Sequence, residues 1–150
     1  MDISYDVFLS AFLSKVTEYD FATLSDSLRT GIVDGYMRRA LIDFSDVCEY
    51  DFESSADDTR RLFSDIDISQ RDLIEITDIV SDGMVVQWLR PYVYRIENLE
   101  LTMSTKDFTT FSSANLLSSI TDTYQKANRQ FINRCREYSY RHGDLTVLHL

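Results

Sequence analysis

Residues 83–117 read GMVVQWLRPYVYRIENLELTMSTKDFTTFSSANLL and hold the only tryptophan and the only proline of the chain, Trp88 and Pro91. Proline has no backbone N–H, and its ring clashes with the preceding helical turn. It is well tolerated in the first turn of a new helix. The stretch therefore predicts that one helix ends or kinks just before Pro91 and that a second continues to about residue 103. Trp88, Pro91 and Tyr92 form the predicted elbow between the two helices.

The composition favours a single all-α domain. Hydrophobic residues make up 44% of the 150 residues, which is enough for a packed core. The chain has only four glycines and one proline, whereas an all-β domain needs many tight turns made of these residues. We predict a bundle of about four to five helices over residues 1–143, with a long C-terminal helix and an extended, strand-like tail over 144–150. No apolar run approaches about 18 residues, so no membrane span is expected.

The cysteines and the first residues indicate the compartment in which the chain is made. Cys48 and Cys135 are single and lie far apart in the sequence, which favours two free thiols in a reducing compartment over a disulfide. The N-terminal stretch MDISYDVFLSAFL lacks the basic start of a secretory signal. Both observations favour synthesis and folding in a cytoplasm.

The spacing of apolar residues predicts the helices that precede the elbow. Residues 3–19 fit a first helix with one apolar face, and a second begins near Ser25, which is a favourable N-cap. Gly31 and Gly35 lie inside that second helix. They either allow another helix to approach closely or simply make the helix less stable. Ser69 resembles the cap of the third helix.

Two further segments complete the predicted domain. Residues 49–69 are the most polar stretch, and we predict a long, mobile acidic loop there with at most a helical turn at 58–64. The last helix runs to about residue 141. Its apolar face is Leu117, Ile120, Tyr124, Ala127, Phe131, Cys135 and Tyr138. A helix of about 35 residues is about 50 Å long, so part of it is expected to project or to contact another chain.

The tail reads DLTVLHL over residues 144–150 and alternates in the manner of a short strand. A single strand is not stable in water, and the sequence offers no obvious partner strand. Two interpretations stay open, a loose tail or a strand that adds to a sheet of a neighbouring molecule. In the second case Leu145, Val147 and Leu148 belong to an interface.

Charge is distributed unevenly along the chain, whose net charge is -10. Residues 1–82 carry 7 Lys and Arg against 19 Asp and Glu, a net of -12, and residues 83–150 carry 8 against 6, a net of +2. An acidic domain repels phosphate, so general nucleic-acid binding is disfavoured and protein partners are indicated. Arg and Tyr are enriched at protein interfaces. The predicted interface on the last helix is Arg134, Arg136, Tyr138, Tyr140 and Arg141. The alternative is that Tyr138 faces the core and the rest is ordinary surface.

No catalytic or cofactor motif occurs in the sequence. Cys-x-x-Cys, His-Glu-x-x-His, phosphate-binding and dinucleotide-binding glycine patterns are all missing. His142 and His149 are the only histidines and are expected at the surface. Residues 65–67 begin as a calcium loop does, but Gln70 stands where that loop needs glycine. We therefore expect no enzyme, no metal and no cofactor.

Residues 83–117 resemble a family of small virion proteins of tailed bacteriophages, the head–tail connector or neck proteins. The runs that carry the resemblance are Gly83-Met84-Val85, Trp88-Leu89, Pro91-Tyr92-Val93, Lys106-Asp107-Phe108 and Ala114-Asn115-Leu116-Leu117. The resemblance implies an α-helical adaptor that docks beneath the portal protein as a ring, usually of twelve copies, and that stays in the virion after synthesis in the bacterial host.

Such a ring extends the DNA channel and contacts further neck or tail proteins, while DNA passes through without specific binding. An acidic wall would let DNA slide, and the residues expected there are Asp51, Glu53, Asp57 and Asp58. Two other classes stay open. A small acidic phage inhibitor would bind a host nucleic-acid enzyme by imitating the charge of DNA. An unrecognised enzyme would need a pocket with convergent polar groups.

Overall fold

The computed structural model describes residues 1–16, 26–102 and 113–142, and the side chains of 1–16, 31–94 and 119–142. These residues form five helices, α1 Tyr5–Val16, α2 Asp26–Phe44, α3 Phe52–Ser55, α4 Gln70–Thr102 and α5 Ser113–His142. Three short strands, β1 Ile3–Ser4, β2 Ala56–Asp57 and β3 Leu62–Phe63, form one antiparallel sheet in the order β1-β3-β2. The predicted all-α class is confirmed, with this small sheet added. The predicted Ser25 cap and the tail 144–150 lie outside the described residues.

α4 is the central helix, and α1, α2 and α5 all pack against it. Every residue from Gly83 to Leu89 is buried, so this part of α4 is enclosed on all sides rather than along one stripe. The helix begins where it was predicted, because the Ser69 hydroxyl accepts a hydrogen bond of 3.1 Å from the backbone N–H of Asp72. Among the described helices, none is both long enough and apolar enough to span a membrane.

Pro91 lies inside α4, so the predicted end of a helix just before it is wrong. A proline in a helix interior costs about 3 kcal/mol. The residues on both sides offset this cost, because Trp88, Leu89 and Val93 are all buried and burying one large apolar side chain contributes about 1.5–3 kcal/mol. The contact predicted at this point is present, with the rings of Trp88 and Tyr92 5.8 Å apart and edge to face.

α5 covers one side of α4 with the apolar face predicted from its spacing. Ile120, Phe131 and Tyr138 are buried. Tyr124 and Cys135 are half-buried and pack against the same core. Over residues 119–142 the helix therefore lies along the bundle with its opposite face exposed, and the predicted projecting segment is not found in this part.

Residues 49–69 are structured, so the predicted long acidic loop is wrong. α3 follows Asp51, whose carboxylate accepts a hydrogen bond of 3.1 Å from the backbone N–H of Ser54. β2 and β3 then form a hairpin, and β3 also pairs with β1 near the N-terminus. The rings of Phe52 and Phe63, 5.2 Å apart, are both buried in the hydrophobic core. The segment folds because most of its apolar side chains contribute to that core.

Arg61 attaches the hairpin to the helices. Its backbone has a left-handed φ of 53°, which is uncommon for a residue other than glycine. Its guanidinium donates hydrogen bonds of 2.7 and 2.9 Å to Asp34 of α2 and one of 2.9 Å to Asp6 of α1. Its carbonyl accepts a hydrogen bond of 3.0 Å from the N–H of Tyr5. Charge-assisted pairs of this kind are among the strong hydrogen bonds of proteins, and they offset the cost of the unusual backbone.

Gly83 marks a close approach of three helices. A Cβ atom there would lie 2.8 Å from ring carbons of Phe131 in α5 and 3.0 Å from the Cβ of Ala40 in α2. Gly31 and Gly35 have no such neighbour within 4 Å among the described residues. Within the described part of the chain, the close contact is therefore made by the glycine in α4 and not by the two glycines of α2 for which it was suggested.

We expect Gly83→Ala to lower the free energy of unfolding by about 1–3 kcal/mol, because an extra methyl in a filled core forces its neighbours to shift. Helix propensity alone would predict a gain of about 1 kcal/mol. Gly35→Ala in α2 is the matched control, and we expect it to show that gain. Urea unfolding followed by circular dichroism measures both. A gain of equal size in the two variants would contradict the close approach at Gly83.

Candidate functional site

The exposed side of α5 carries the part of the predicted interface that faces water. Arg136, Tyr140 and Arg141 are all exposed, Tyr140 to 67%. Ile132 is exposed to 41% although it is aliphatic, and Arg129 is exposed one turn before it. Positions three and four apart lie on one side of a helix. We define the α5 outer face as Arg129, Ile132, Arg136 and Tyr140.

A groove of about 540 Å³ lies beside this face, between the end of α2 and α5. Its apolar lining is Val47, Phe131, Ile132 and Cys135. Charged groups also line it, with Asp43 and Asp46 on the α2 side and Arg136 on α5. An apolar centre with a polar rim is the usual arrangement of a protein-binding surface.

Tyr138 does not belong to this surface, so its predicted place in the interface is wrong. Its side chain is fully buried. Its ring lies 4.9 Å from Phe44 of α2, edge to face, and stacks on His142 at 4.2 Å. Burial raises the pKa of Tyr138. The alternative, in which this tyrosine faces the core, is the one that the structure supports.

Arg134 also points inward, into an ion cluster that joins three helices. Asp78 and Asp82 lie one helical turn apart on α4, and the Lys15 ammonium of α1 lies 2.9 and 2.7 Å from their carboxylates. The Arg134 guanidinium pairs with both carboxylates as well. Burial alone would raise the pKa of Asp78, but hydrogen bonds from Arg134 and Lys15 bring it below its usual value. The cluster fixes α1 and α5 onto α4.

The last two residues of α5 meet the first turns of α4. The Arg141 guanidinium lies 2.6 Å from Oε1 of Glu75, so this predicted interface residue also makes an internal ion pair. His142, predicted as a surface residue, is half-buried, with Nε2 3.2 Å from Oε2 of Glu75. Asp72, Glu75 and His142 each offer one ligand atom, and these atoms lie within 4.8 Å of one another. Within the described residues, this is the group that could hold a metal ion.

The four residues predicted as an acidic channel wall lie on or beside α3 and the hairpin, and three of them have local structural roles. Asp51 caps α3. Asp57 accepts two backbone N–H hydrogen bonds of 3.1 Å in the hairpin turn. Asp58 accepts a hydrogen bond of 2.6 Å from the Tyr5 hydroxyl. Glu53 is exposed, and its carboxylate has no ion pair with any described residue. Of the four, Glu53 is the one whose charge is available to a partner.

Cys48 and Cys135 are half-buried free thiols. Burial raises the pKa of each to about 11. Both are therefore protonated at neutral pH, and a protonated thiol is a poor nucleophile. Neither residue offers the activated thiolate that a cysteine-dependent enzyme would need.

The remaining predicted interface residues, Leu145, Val147 and Leu148, lie outside the described residues.

Comparison of the chain with known protein families, with curated proteins and with solved structures gave no match in any of the three. The described residues therefore define the class by their fold alone: a mostly helical protein in which α4 packs against three other helices and in which β1, β2 and β3 form a small sheet.

We expect the ion cluster to make acid denaturation depend on Asp78. The pKa of Asp78 is lower in the folded state than in the unfolded state. The ionised carboxylate therefore contributes fully to folding stability above its unfolded pKa of about 3.9, and this contribution is lost as the pH falls through its folded pKa. The stability of the wild type should therefore fall more steeply below about pH 4 than that of Asp78→Asn, by about 1 kcal/mol or less because Asp78 is partly exposed. Asp122→Asn, at an exposed position of α5, is the control and should follow the wild type. Urea unfolding at several pH values measures the free energy of unfolding of each variant. If this free energy fell equally with pH in the wild type and in Asp78→Asn, the role of Asp78 would be contradicted.

Proposed function

We propose that this protein is a structural virion protein, a head–tail connector or adaptor that docks on the portal protein of a tailed phage as a ring. The resemblance of residues 83–117 to small neck proteins suggests the class. The observation that carries the proposal is the α5 outer face, where Ile132 and Tyr140 stay exposed beside an apolar groove. Arg129 and Arg136 are exposed on the same side. Aromatic and arginine side chains beside an apolar pocket are where binding energy concentrates in protein interfaces.

The division of charge supports two separate surfaces on one adaptor. The α5 outer face carries Arg129 and Arg136 and is basic. The segment between α2 and α4 exposes Glu53, Asp65 and Asp67, whose carboxylates make no ion pair with described residues. Surfaces of opposite charge select different neighbours. In the proposed ring the basic face meets protein and the acidic segment lines the DNA path, because carboxylates repel phosphate.

Binding to purified portal rings tests the docking surface. We expect Tyr140→Ala and Ile132→Ala each to weaken binding at least about tenfold, the loss expected for a residue that anchors an interface. Ile74→Ala is the matched control, because Ile74 is an aliphatic residue of α4 that is 62% exposed and does not line the groove. Surface plasmon resonance measures the affinities, and circular dichroism verifies that each variant is folded. The docking proposal fails if the wild type does not bind the portal, or if the control loses as much affinity as the α5 variants.

Particles assembled with charge-neutralised protein test the DNA path. We expect the combined change Glu53→Gln, Asp65→Asn and Asp67→Asn to alter DNA retention or slow ejection, since fewer carboxylates then repel the phosphates. These three positions leave the α3 cap and the hairpin turn intact. The control combines Asp122→Asn with Glu137→Gln, two exposed carboxylates of α5. If particles with the triple variant retained and ejected DNA as wild-type particles do, the acidic segment would not be a wall of the channel. This conclusion would hold whatever the docking experiment shows.

The same acidic segment favours a second function, inhibition of a host nucleic-acid enzyme. Its exposed carboxylates include Glu53, Asp65 and Asp67. A row of exposed negative charges can occupy a basic nucleic-acid groove. The two functions respond to different variants. If the protein is an inhibitor, the neutralised triple variant should no longer bind the target enzyme, whereas Tyr140→Ala should bind it as tightly as the wild type does.

A further inference from the structure

We propose that Asp72, Glu75 and His142 form a binding site for a divalent transition-metal ion of the Zn²⁺ class. The site lies where the last residue of α5 meets the first turns of α4. The three ligand atoms lie within 4.8 Å of one another. His142 Nε2 and Glu75 Oε2 are 3.2 Å apart. Two ligands that are each about 2.0–2.1 Å from a tetrahedral zinc ion lie about 3.4 Å apart, so this pair already has nearly the required separation.

The surrounding residues orient each ligand. The Tyr50 hydroxyl donates to Oδ2 of Asp72 at 2.8 Å, and the Arg141 guanidinium lies 2.6 Å from Oε1 of Glu75. The Ser69 side chain also hydrogen-bonds to the Asp72 carboxylate, so an ion would take the place of that hydrogen bond. Oε2 of Glu75 already points at the imidazole of His142. The Nδ1 atom of His142 faces Oε1 of Glu49 at 3.7 Å. A carboxylate on the far nitrogen of a ligating histidine is the common outer partner in metal sites, because it fixes the tautomer and the ring orientation.

The ring of His142 is held in place by stacking. Its plane lies 22° from that of Tyr138, with the ring centres 4.2 Å apart. Tyr138 is itself fully buried against Phe44, so it provides a rigid support. The imidazole therefore presents Nε2 towards α4 without needing to reorganise when an ion binds.

Charge and donor chemistry select the kind of ion. Three carboxylates lie at the site, those of Glu49, Asp72 and Glu75. Two guanidinium groups lie near them, those of Arg71 and Arg141. When the imidazole is neutral, the site therefore keeps a net negative charge that a bound cation would neutralise. One imidazole and two carboxylates suit zinc and similar transition metals, whereas Mg²⁺ and Ca²⁺ prefer oxygen ligands alone. Such an ion would join the end of α5 to the start of α4 and would fix the point from which residues 143–150 continue.

Titration of the full chain with ZnCl₂ after chelator treatment tests the site. We expect one Zn²⁺ per chain in isothermal titration calorimetry and no comparable binding of MgCl₂. At about 100-fold excess over Kd, we expect the melting temperature to rise by about 5–10 °C. His142→Ala should abolish both effects. His149→Ala, which removes the other histidine of the chain, is the matched control and should retain them.

A second variant keeps the test valid if His142→Ala does not fold. Glu49→Gln changes an exposed residue that does not ligate the ion, and it should weaken Zn²⁺ binding about 10–100-fold, the usual loss for an outer partner. The proposal is overturned if the wild type shows no saturable Zn²⁺ binding, since the cluster is then an ion-pair network alone. It is equally overturned if Zn²⁺ binding survives in His142→Ala or is lost in His149→Ala.

Discussion

At Gly83 the ring of Phe131 and the methyl group of Ala40 pack so close to α4 that an added Cβ atom would lie 2.8 Å from the first and 3.0 Å from the second. This contact sets the distance between α4 and its neighbours α2 and α5. The adjacent residue, Asp82, is held by Lys15 and Arg134, so α1 and α5 are also fixed along the length of α4. Close packing fixes how near the helices come, and the ion pairs fix their register. One side of α5 is therefore exposed, because the opposite side provides both Phe131 for the packing at Gly83 and Arg134 for the ion pair with Asp82.

Much of the helical framework is encoded locally and was predictable. The face that runs from Ile120 to Tyr138 keeps helical spacing, and a helix face of that kind must be covered. Two features depend on distant residues and were mispredicted. Pro91 is tolerated inside a helix because apolar residues on both sides of it are buried. The hairpin lacks a strong turn signal, and its strands are only two residues long. It is held by β1 and by Arg61, whose partners Asp6 and Asp34 lie far away in sequence.

The candidate surface was predictable only in part, for a geometric reason. Residues two apart on a helix point in nearly opposite directions. Arg134 and Arg136 look equivalent in the sequence, yet one joins the internal ion cluster and the other is exposed. Ile132 is the signal that could have located the outer face, since it is an aliphatic residue outside the predicted apolar face. The group around His142 had no such signal, because Glu75 is 67 residues away in the sequence.

The position of α5 in the chain also has a consequence for biosynthesis. Phe131 fills the slot beside Gly83, but it comes after every element against which α5 packs. Until α5 has been synthesised, the side of α4 that Phe131 covers has no covering helix. Such a side attracts chaperones and other nascent chains. The bundle therefore cannot be completed until Phe131 has been synthesised, and a chain truncated before residue 131 leaves this side of α4 uncovered and is prone to aggregate.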